Sequence, residues 1–162
     1  MGWYRADGRT ARDVVAAPMT STRKSEYRLR RRVQFYEADP AGIVHFSCFF
    51  RYMEEAEHAL WREAGLSIAP READIAFPRV STSFEYHHPL RFDDEFDVHI
   101  RIVAMSQKSI RYACSVTRDD TRIATGALTF VCVTSKSGEP MKAVRIPEAI
   151  ASRFAAAADQ KA

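Results

Sequence analysis

An aspartate-proline turn in front of an aromatic-rich segment is the stretch of this sequence best suited to chemistry. Asp39 and Pro40 are followed by the small residues Ala41 and Gly42. Because proline disfavours helical geometry at the residue before it, Asp39 is predicted to lie on an extended segment. Glycine lets the backbone turn sharply directly afterwards. The pattern therefore predicts a carboxylate that is held just outside the start of the next helix.

The start of that helix offers a second chemical group, because the first amides of a helix lack acceptors within it. We predict unpaired amides around His45, Phe46 and Ser47, at the positive end of the helix dipole. Such amides stabilise an oxyanion, whereas an ionised Asp39 acts as a nucleophile or as a base that activates water. A carboxylate and amide donors in one place are suited to hydrolysis at a carbonyl carbon.

Each of these residues also has a structural interpretation. Aspartate before proline is common in turns, so Asp39 is either a reactive group or a turn residue. His45 either hydrogen-bonds a substrate or Asp39, or is a half-buried polar residue. Ser47 is better interpreted as the N-cap of the helix than as a nucleophile.

A second carboxylate lies inside the predicted helix. At roughly 100° per residue, Glu57 falls about 40° from Met53 and therefore on the apolar face. Glu54 lies nearer the boundary of that face. A buried carboxylate is costly unless it is paired. We therefore predict an ion pair between Glu57 and an arginine of the sheet or of a partner subunit.

The elements that position these groups are predicted from periodicity. The helix has one apolar side, with Gly65 as its C-terminal stop; the residues on this side are Phe46, Phe49, Phe50, Met53, Ala56, Leu60 and Ala64. Strand-like alternation is found over residues 27–36, 80–86, 96–104, 109–117 and 122–135. Short connections make the later strands antiparallel neighbours. The helix is best buried if this sheet curls around it, and the exposed edge strand favours edge-to-edge dimerisation.

Length and composition bound the class of protein. The 162 residues are 46% hydrophobic and 28% charged, as in a single soluble globular domain. We predict a flexible tail over residues 1–26, the domain over 27–148, and a tail or short helix over 149–162. The formal net charge is +3, but residues 1–32 hold nine basic and three acidic side chains, which leaves the folded body mildly acidic. A nucleic-acid partner is therefore not expected.

The sequence also argues against several other classes. No apolar run approaches the ~20 residues needed to span a bilayer, so no membrane insertion is expected. Cys48, Cys114 and Cys132 are odd in number and form no C-x-x-C pair, which speaks against a disulfide framework or a zinc site. His87 and His88 are neighbours on a strand and would point to opposite faces, so we predict no metal site there. We expect a cytoplasmic protein.

Two motifs resemble those of a known family: D-P-A-G-I-V at 39–44, which opens the aromatic helix, and M-E-E-A at 53–56. They resemble the hotdog-fold acyl-CoA thioesterases of the 4-hydroxybenzoyl-CoA thioesterase group, and the resemblance covers residues 27–147. It implies an α+β hotdog fold, in which an antiparallel sheet of about five strands wraps around one long central helix. It also implies a homodimer or homotetramer that hydrolyses an acyl-CoA to the free acid and CoA without a cofactor.

The same resemblance assigns roles to individual residues. The family's active acid corresponds to Asp39, and the amide that polarises the substrate carbonyl corresponds to the backbone amide of Phe46. The family has tyrosine or histidine at that position, whereas this chain has phenylalanine there and His45 one residue earlier. A backbone donor does not depend on that side chain. Another branch of hotdog enzymes uses an acid on the central helix, which makes Glu57 a second candidate.

Substrate contacts follow from the chemistry of CoA esters. Phe49 and Phe50 suit an apolar acyl group, either aromatic or aliphatic. The CoA phosphates require cations, although a surface Lys or Arg more often serves solubility. The candidates are Lys108, Arg111, Lys142 and Arg145.

Two other functions stay open at the level of sequence. One is a hotdog domain that binds a CoA thioester without cleaving it. The other is a hydratase-type hotdog enzyme, which is disfavoured because the acid precedes the D-P-A-G-I-V turn and forms no evident Asp/His pair across a helix. Hydrolysis of an acyl-CoA is the function that the residues and the resemblance favour together.

Overall fold

The computed structural model describes residues 22–70 and 74–158. Within these ranges the chain forms an α+β fold with one long helix. The strands are β1 (Glu26–Arg32), β2 (Ile75–Ala76), β3 (Arg79–Tyr86), β4 (Glu95–Met105), β5 (Ser109–Arg118), β6 (Thr121–Val131) and β7 (Val133–Thr134). The helices are α1 (Cys48–Glu63) and α2 (Glu148–Ala151), and a 3-10 turn (Phe35–Glu37) follows β1.

Five strands form one antiparallel sheet in the order β1-β4-β5-β6-β3, and β2 pairs separately with β7. β1 and β3 are therefore the two edges of the main sheet. Arg32 at the end of β1 pairs with Glu95 at the start of β4, and Tyr86 at the end of β3 pairs with Ala124 near the start of β6. These residues lie at one end of the sheet, here named the Asp39 end because Asp39 follows β1. The other end is named the opposite end.

α1 packs on one face of the sheet through a side that is apolar at helical spacing. Phe49, Met53, Ala56 and Leu60 are all buried there. Gly65 has φ 76°, a left-handed conformation that favours glycine, and it follows the last turn of the helix. The predicted C-terminal stop is thus confirmed.

An aromatic cluster fixes the far end of α1 to the sheet. The ring of Trp61 lies 5.1 Å from that of Phe77, 6.0 Å from that of Phe130 and 5.1 Å from that of Phe154. Its indole N–H donates to the hydroxyl of Tyr112 at 3.0 Å. The buried polar atom is satisfied, so this end of the helix is both apolar and specific in its packing.

Three sequence-based boundaries are wrong. Phe46 precedes α1 and is 60% exposed, so it does not belong to the buried helix face. The first strand ends at Arg32 and not at residue 36, because the chain turns into the 3-10 turn that contains the buried Glu37. The last strand is two strands, because the amide of Cys132 leaves the β6 ladder and donates to the carbonyl of Lys108 at 2.7 Å.

Both predicted tails contribute to the folded body. The amide of Lys24 donates to the carbonyl of Arg153 at 2.8 Å, and that of Ile102 donates to the carbonyl of Ser25 at 2.8 Å. Phe154 is buried after α2. The segment 149–158 therefore holds a short helix and packs on the core, and Lys24 and Ser25 are tied to the body. Residues 1–21 and 159–162 of the predicted tails lie outside the described residues.

Candidate active site

The turn that carries Asp39 is closed by hydrogen bonds within itself. The Asp39 amide donates to the carbonyl of Ile43 at 2.9 Å, and the Gly42 amide donates to the carbonyl of Asp39 at 2.9 Å. One carboxylate oxygen of Asp39, Oδ1, accepts the amide of Ala41 at 2.8 Å. Gly42 has φ 74°, which explains why glycine occupies this position. The turn uses one carboxylate oxygen, and the other has no hydrogen-bond partner among the described residues.

The amides at the helix start differ from one another. The His45 amide donates to the carbonyl of Glu37 at 2.9 Å, and the Ser47 amide contacts Nδ1 of His45 at 3.3 Å. The Phe46 amide has no acceptor in the part of the chain that the structure describes. The prediction of three unpaired amides is therefore wrong for His45 and Ser47, because the loop folds back on itself. Ser47 directly precedes α1, but its side chain forms no capping hydrogen bond.

Asp39 and Phe46 line the same cavity, which has a volume of ≈ 530 Å³. Its wall is largely apolar and includes Phe49 from α1 and Tyr86 from β3. Their rings are 5.1 Å apart, and the Tyr86 hydroxyl donates to the carbonyl of Phe46 at 3.2 Å. Burial raises the pKa of Tyr86, so its hydroxyl stays protonated and able to donate. The cavity thus combines a carboxylate, an amide and an apolar wall.

The cavity also contains two histidines that the sequence interpretation did not assign to the site. His87 and His88 both line it, and they follow β3, so the expectation that they are neighbours on a strand is wrong. Nδ1 of His88 lies 2.8 Å from the carbonyl of Arg122, an acceptor, so Nδ1 carries a proton and donates it to this bond. The segment that carries these histidines lies next to the Asp39 turn because of a tertiary contact: the amide of Val44 donates to the carbonyl of Leu90 at 2.8 Å. No local sequence pattern predicts this contact.

His45 lies elsewhere. Its Nδ1 is 2.8 Å from the hydroxyl of Ser47, and it is exposed. It lines a separate cavity of ≈ 390 Å³ with Glu37, Cys48 and other residues, and it is absent from the lining of the Asp39 cavity. Within one chain, His45 and Asp39 are therefore not brought together.

Glu57 is fully buried at 0% exposure, and it forms the predicted ion pair with an arginine of the sheet, Arg79 on β3. Burial raises the pKa of Glu57 to about 7, and the nearby Arg79 guanidinium only partly opposes this effect. Its second oxygen, Oε1, has no hydrogen-bond partner among the described residues. Glu57 lines a different cavity of ≈ 620 Å³, together with Phe50. The two candidate acids of one chain thus open on different cavities.

The four predicted phosphate contacts lie at the opposite end of the sheet from Asp39. Lys108 is in the turn between β4 and β5, and Arg111 is near the start of β5. Lys142 and Arg145 are hydrogen-bonded through their carbonyls to the β7 region, at Thr134 and Cys132. Within one chain these cations are not part of the Asp39 site.

One cation does lie against the Asp39 turn, and the sequence interpretation missed it. Nη1 of Arg91 donates to the carbonyl of Gly42 at 3.4 Å.

Among the described residues, no set of three or more His, Cys, Asp and Glu side chains could hold a metal ion. In the same part of the chain, no helix is long and apolar enough to cross a membrane.

Residues 33–154 match the family described as the thioesterase-like superfamily. The match covers most of the chain, so the protein belongs to that superfamily, and its sheet and helix form the hotdog fold that the sequence predicted.

Particular proteins resemble this chain in structure or in sequence. A crystal structure from Aquifex aeolicus superposes with a TM-score of 0.73 at 32% identity, covering 80% of this chain and 99% of that chain. The structure of a gentisyl-coenzyme A thioesterase superposes with a TM-score of 0.69 at 26% identity, covering 79% of this chain and 99% of that chain. The acyl-CoA thioester hydrolase YbgC of Escherichia coli is 24% identical over 125 residues, 76% of this chain and 91% of that protein.

Proposed function

We propose that the protein is an acyl-CoA thioesterase that converts an acyl-CoA and water into the free acid and CoA. The observation that carries this proposal is the shared cavity of ≈ 530 Å³, onto which both Asp39 and Phe46 open. A carboxylate and an amide that has no acceptor among the described residues are the two groups that hydrolysis of a thioester requires. The relatives named for hydrolysis of acyl-CoA thioesters and of gentisyl-coenzyme A support the same substrate class.

Asp39 is the proposed reactive carboxylate. Its Oδ1 is fixed by the Ala41 amide, which leaves Oδ2 to face the substrate. Oδ2 either removes a proton from the attacking water or bonds to the acyl carbon and gives a mixed anhydride that water then cleaves. In both routes the C–S bond breaks, the sulfur takes up a proton, and the acid and CoA leave.

The Phe46 amide is the proposed donor to the thioester oxygen. That oxygen gains negative charge as the carbonyl carbon becomes tetrahedral, and a fixed amide just before the positive end of α1 stabilises this charge. Phe49 would contact the acyl group within the same cavity. Within one chain, His45 and Glu57 do not line the Asp39 cavity. Any contribution that they make to the reaction is therefore proposed to come from a second subunit.

A homodimer or homotetramer is the proposed assembly, with edge strand β3 at the dimer interface. β1 carries exposed arginines, which disfavour pairing of this edge with another chain. β3 instead exposes Ser81, Thr82 and Ser83 and the apolar Val80. Two antiparallel copies of β3 would bring the opposite end of one sheet beside the Asp39 end of the other. In that arrangement Lys108, Arg111, Lys142 and Arg145 of a second subunit would approach the CoA phosphates, and Phe50 and Glu57 would approach the acyl group.

We place the enzyme in the cytoplasm. The three cysteines, Cys48, Cys114 and Cys132, are free, as is the rule for proteins of a reducing compartment. No cofactor enters the proposed chemistry, since a carboxylate, an amide and water are sufficient for it.

The test is the change Asp39→Asn, assayed by release of free thiol from a panel of acyl-CoA esters. Asparagine keeps the shape of the side chain but removes the reactive anion. Turnover should fall by roughly 10²-fold or more, while the affinity for a non-hydrolysable CoA analogue should stay within several-fold. The matched control is Asp97→Asn, because Asp97 lies on β4 in an exposed ion pair with Arg30. This control should keep wild-type turnover.

The alternative is a domain that binds CoA thioesters without cleaving them. Asp39 has a structural role in its turn, since it accepts the Ala41 amide, and this contact alone would explain the residue. Tight binding of the whole panel by the wild type without thiol release would establish this alternative and overturn the proposed hydrolysis.

A further inference from the structure

Glu37 is a buried acid that the proposed reaction does not use. It is 5% exposed and lies two residues before Asp39. Both of its carboxylate oxygens are occupied: Oε1 accepts Nη2 of Arg31 at 3.1 Å, and Oε2 accepts the amide of Gln34 at 2.8 Å. A buried carboxylate that is paired and fully hydrogen-bonded is held in one position, because leaving either oxygen unpaired is costly.

The backbone of Glu37 joins the same residue to the far side of the Asp39 turn. Its carbonyl accepts the His45 amide at 2.9 Å and the thiol of Cys48, the first residue of α1, at 3.7 Å. Ala38 and Val44 form a β-bridge next to these contacts. Glu37 is therefore the point at which β1, the Asp39 turn and the start of α1 meet.

This contact also decides which amide is available to a substrate. The His45 amide is used by the Glu37 carbonyl, so Phe46 provides the next amide along the chain, which has no acceptor among the described residues. If Glu37 moved, the His45 amide would be released and the distance between Asp39 and the Phe46 amide would no longer be fixed.

Arg31, the partner of Glu37, also contacts two residues within α1. Its Nη1 lies 3.3 Å from Oε1 of Glu55 on α1, and its guanidinium carbon is 4.5 Å from the ring centre of Tyr52. Burial, and then the neighbouring Glu37 carboxylate, raise the pKa of Tyr52, so this side chain stays neutral beneath the pair. A single arginine thus connects the acid before the turn to two positions on the helix.

We propose that Glu37, through its ion pair with Arg31, is a positioning residue that sets the geometry between Asp39 and the Phe46 amide. The inference rests on the proposed thioesterase function. It assigns no contact with substrate to Glu37; the residue acts on the rate only through the two groups that it holds in place. A displacement of about 1 Å between reacting groups is enough to cost up to 10²-fold in rate.

The test compares Glu37→Gln and Arg31→Lys with the wild type and with Glu26→Gln. Glu26 pairs with His99 and Arg101 across β1 and β4, away from the turn, and is the matched control for loss of a paired glutamate. Each variant is checked for folding by circular dichroism at the assay temperature. Glu37→Gln should lower kcat on an acyl-CoA ester by about tenfold or more, with KM within about twofold, because positioning and not binding is lost. Glu26→Gln should keep the wild-type kcat.

The outcomes separate this inference from the function on which it rests. A folded Glu37→Gln variant with wild-type kcat and only a lowered melting temperature overturns the positioning role and leaves the thioesterase function intact. A wild type that releases no thiol overturns both. If Glu37→Gln does not fold, Arg31→Lys decides, since it keeps the charge and loses the planar fork. A folded Arg31→Lys with kcat lowered at least about threefold supports the inference, and one with unchanged kcat overturns it.

Discussion

Two acids of this chain, Asp39 and Glu57, show how environment separates residues of the same chemistry. Asp39 is partly exposed and keeps one carboxylate oxygen available to a cavity. Glu57 is buried against Arg79, and burial raises its pKa to about 7. The first environment suits the proposed reactive anion, because a reacting carboxylate must be accessible to the substrate. The second environment is typical of a structural ion pair.

The raised pKa of Glu57 predicts a pH effect on stability. The folded carboxyl titrates at about 7 and the unfolded one at 4.5, so the folded state binds this proton more tightly. Its contribution to stability is therefore complete below pH 4.5 and is lost as the pH rises towards 7. Glu57→Gln lacks this titration. As the pH rises from 5 to 8, the wild type should lose stability that the variant keeps. The free energy of unfolding of the variant minus that of the wild type should therefore increase by at most about 3 kcal/mol, measured by urea unfolding.

The control for this measurement is Glu63→Gln, which removes an exposed acid of the same helix whose partner is Lys24. Its free energy of unfolding relative to wild type should change by less than about 0.5 kcal/mol over the same pH range. A Glu57→Gln variant whose relative stability decreases with rising pH would show that the pair with Arg79 outweighs burial.

At the scale of elements, the site depends on how β3 meets α1. Phe84 of β3 lies with its ring centre 5.8 Å from that of Phe49 and 5.2 Å from that of Phe50. Phe84 thus contacts one residue that lines the Asp39 cavity, Phe49, and one that lines the Glu57 cavity, Phe50. Phe84 can occupy this position because Gly126 lies opposite to it on β6. The packing of this strand pair on the helix therefore reaches a lining residue of each cavity.

Gly126→Ala should therefore disturb the fold and the packing of Phe84 against α1. A Cβ at this position would lie 2.7 Å from a ring carbon of Phe84 and 2.7 Å from the carbonyl oxygen of Ser83. Overpacking of this kind costs roughly 1–3 kcal/mol of the free energy of unfolding. Thr129→Ala, at a half-buried position on the same strand, should cost less than about 1 kcal/mol. Equal losses in thermal or urea unfolding would contradict the special role of Gly126.

At the scale of the whole molecule, a single chain does not bring all proposed site residues together. Asp39 and the cations Lys108 and Arg111 lie at opposite ends of the sheet. Pairing of two β3 edges in antiparallel orientation would place each Asp39 end beside the opposite end of a second subunit. The proposed site is then shared between subunits.

A shared site can be tested by mixing two defective proteins. Asp39→Asn lacks the reactive anion, and the double variant Lys108→Ala with Arg111→Ala should show a KM for acyl-CoA raised about tenfold by loss of phosphate contacts. After subunit exchange, mixed dimers contain one site with Asp39 from one chain and both cations from the other. An equal mixture should then recover about a quarter of the wild-type rate at low substrate, since half of the dimers are mixed and one of their two sites is intact.

The controls for mixing are each variant alone and the mixture before exchange, and sedimentation reports the assembly. The wild type should sediment as a dimer or larger at micromolar concentration. A mixture that gains nothing over its components, or an active monomer, would contradict the shared site.

The sequence by itself determined the helix, the main strands and the turn with Asp39, whereas the hotdog fold was implied by the family resemblance. These follow from local causes: the apolar spacing along α1, the period-two alternation of β4 and β5, and the backbone limits of Pro40 and Gly42. It also predicted that Glu57 would be paired, since its place on the apolar face follows from helical geometry alone.

Only the tertiary structure decided which groups meet. His88 reaches the Asp39 cavity through a hydrogen bond between Val44 and Leu90, and the His45 amide is used by Glu37. Neither contact is predicted by a periodicity or a motif in the sequence, because both join segments that become neighbours only when the sheet forms. The same reason explains the separation of Lys108 from Asp39, since the sense of each strand in the sheet, and not the spacing of residues along the chain, sets which ends lie together.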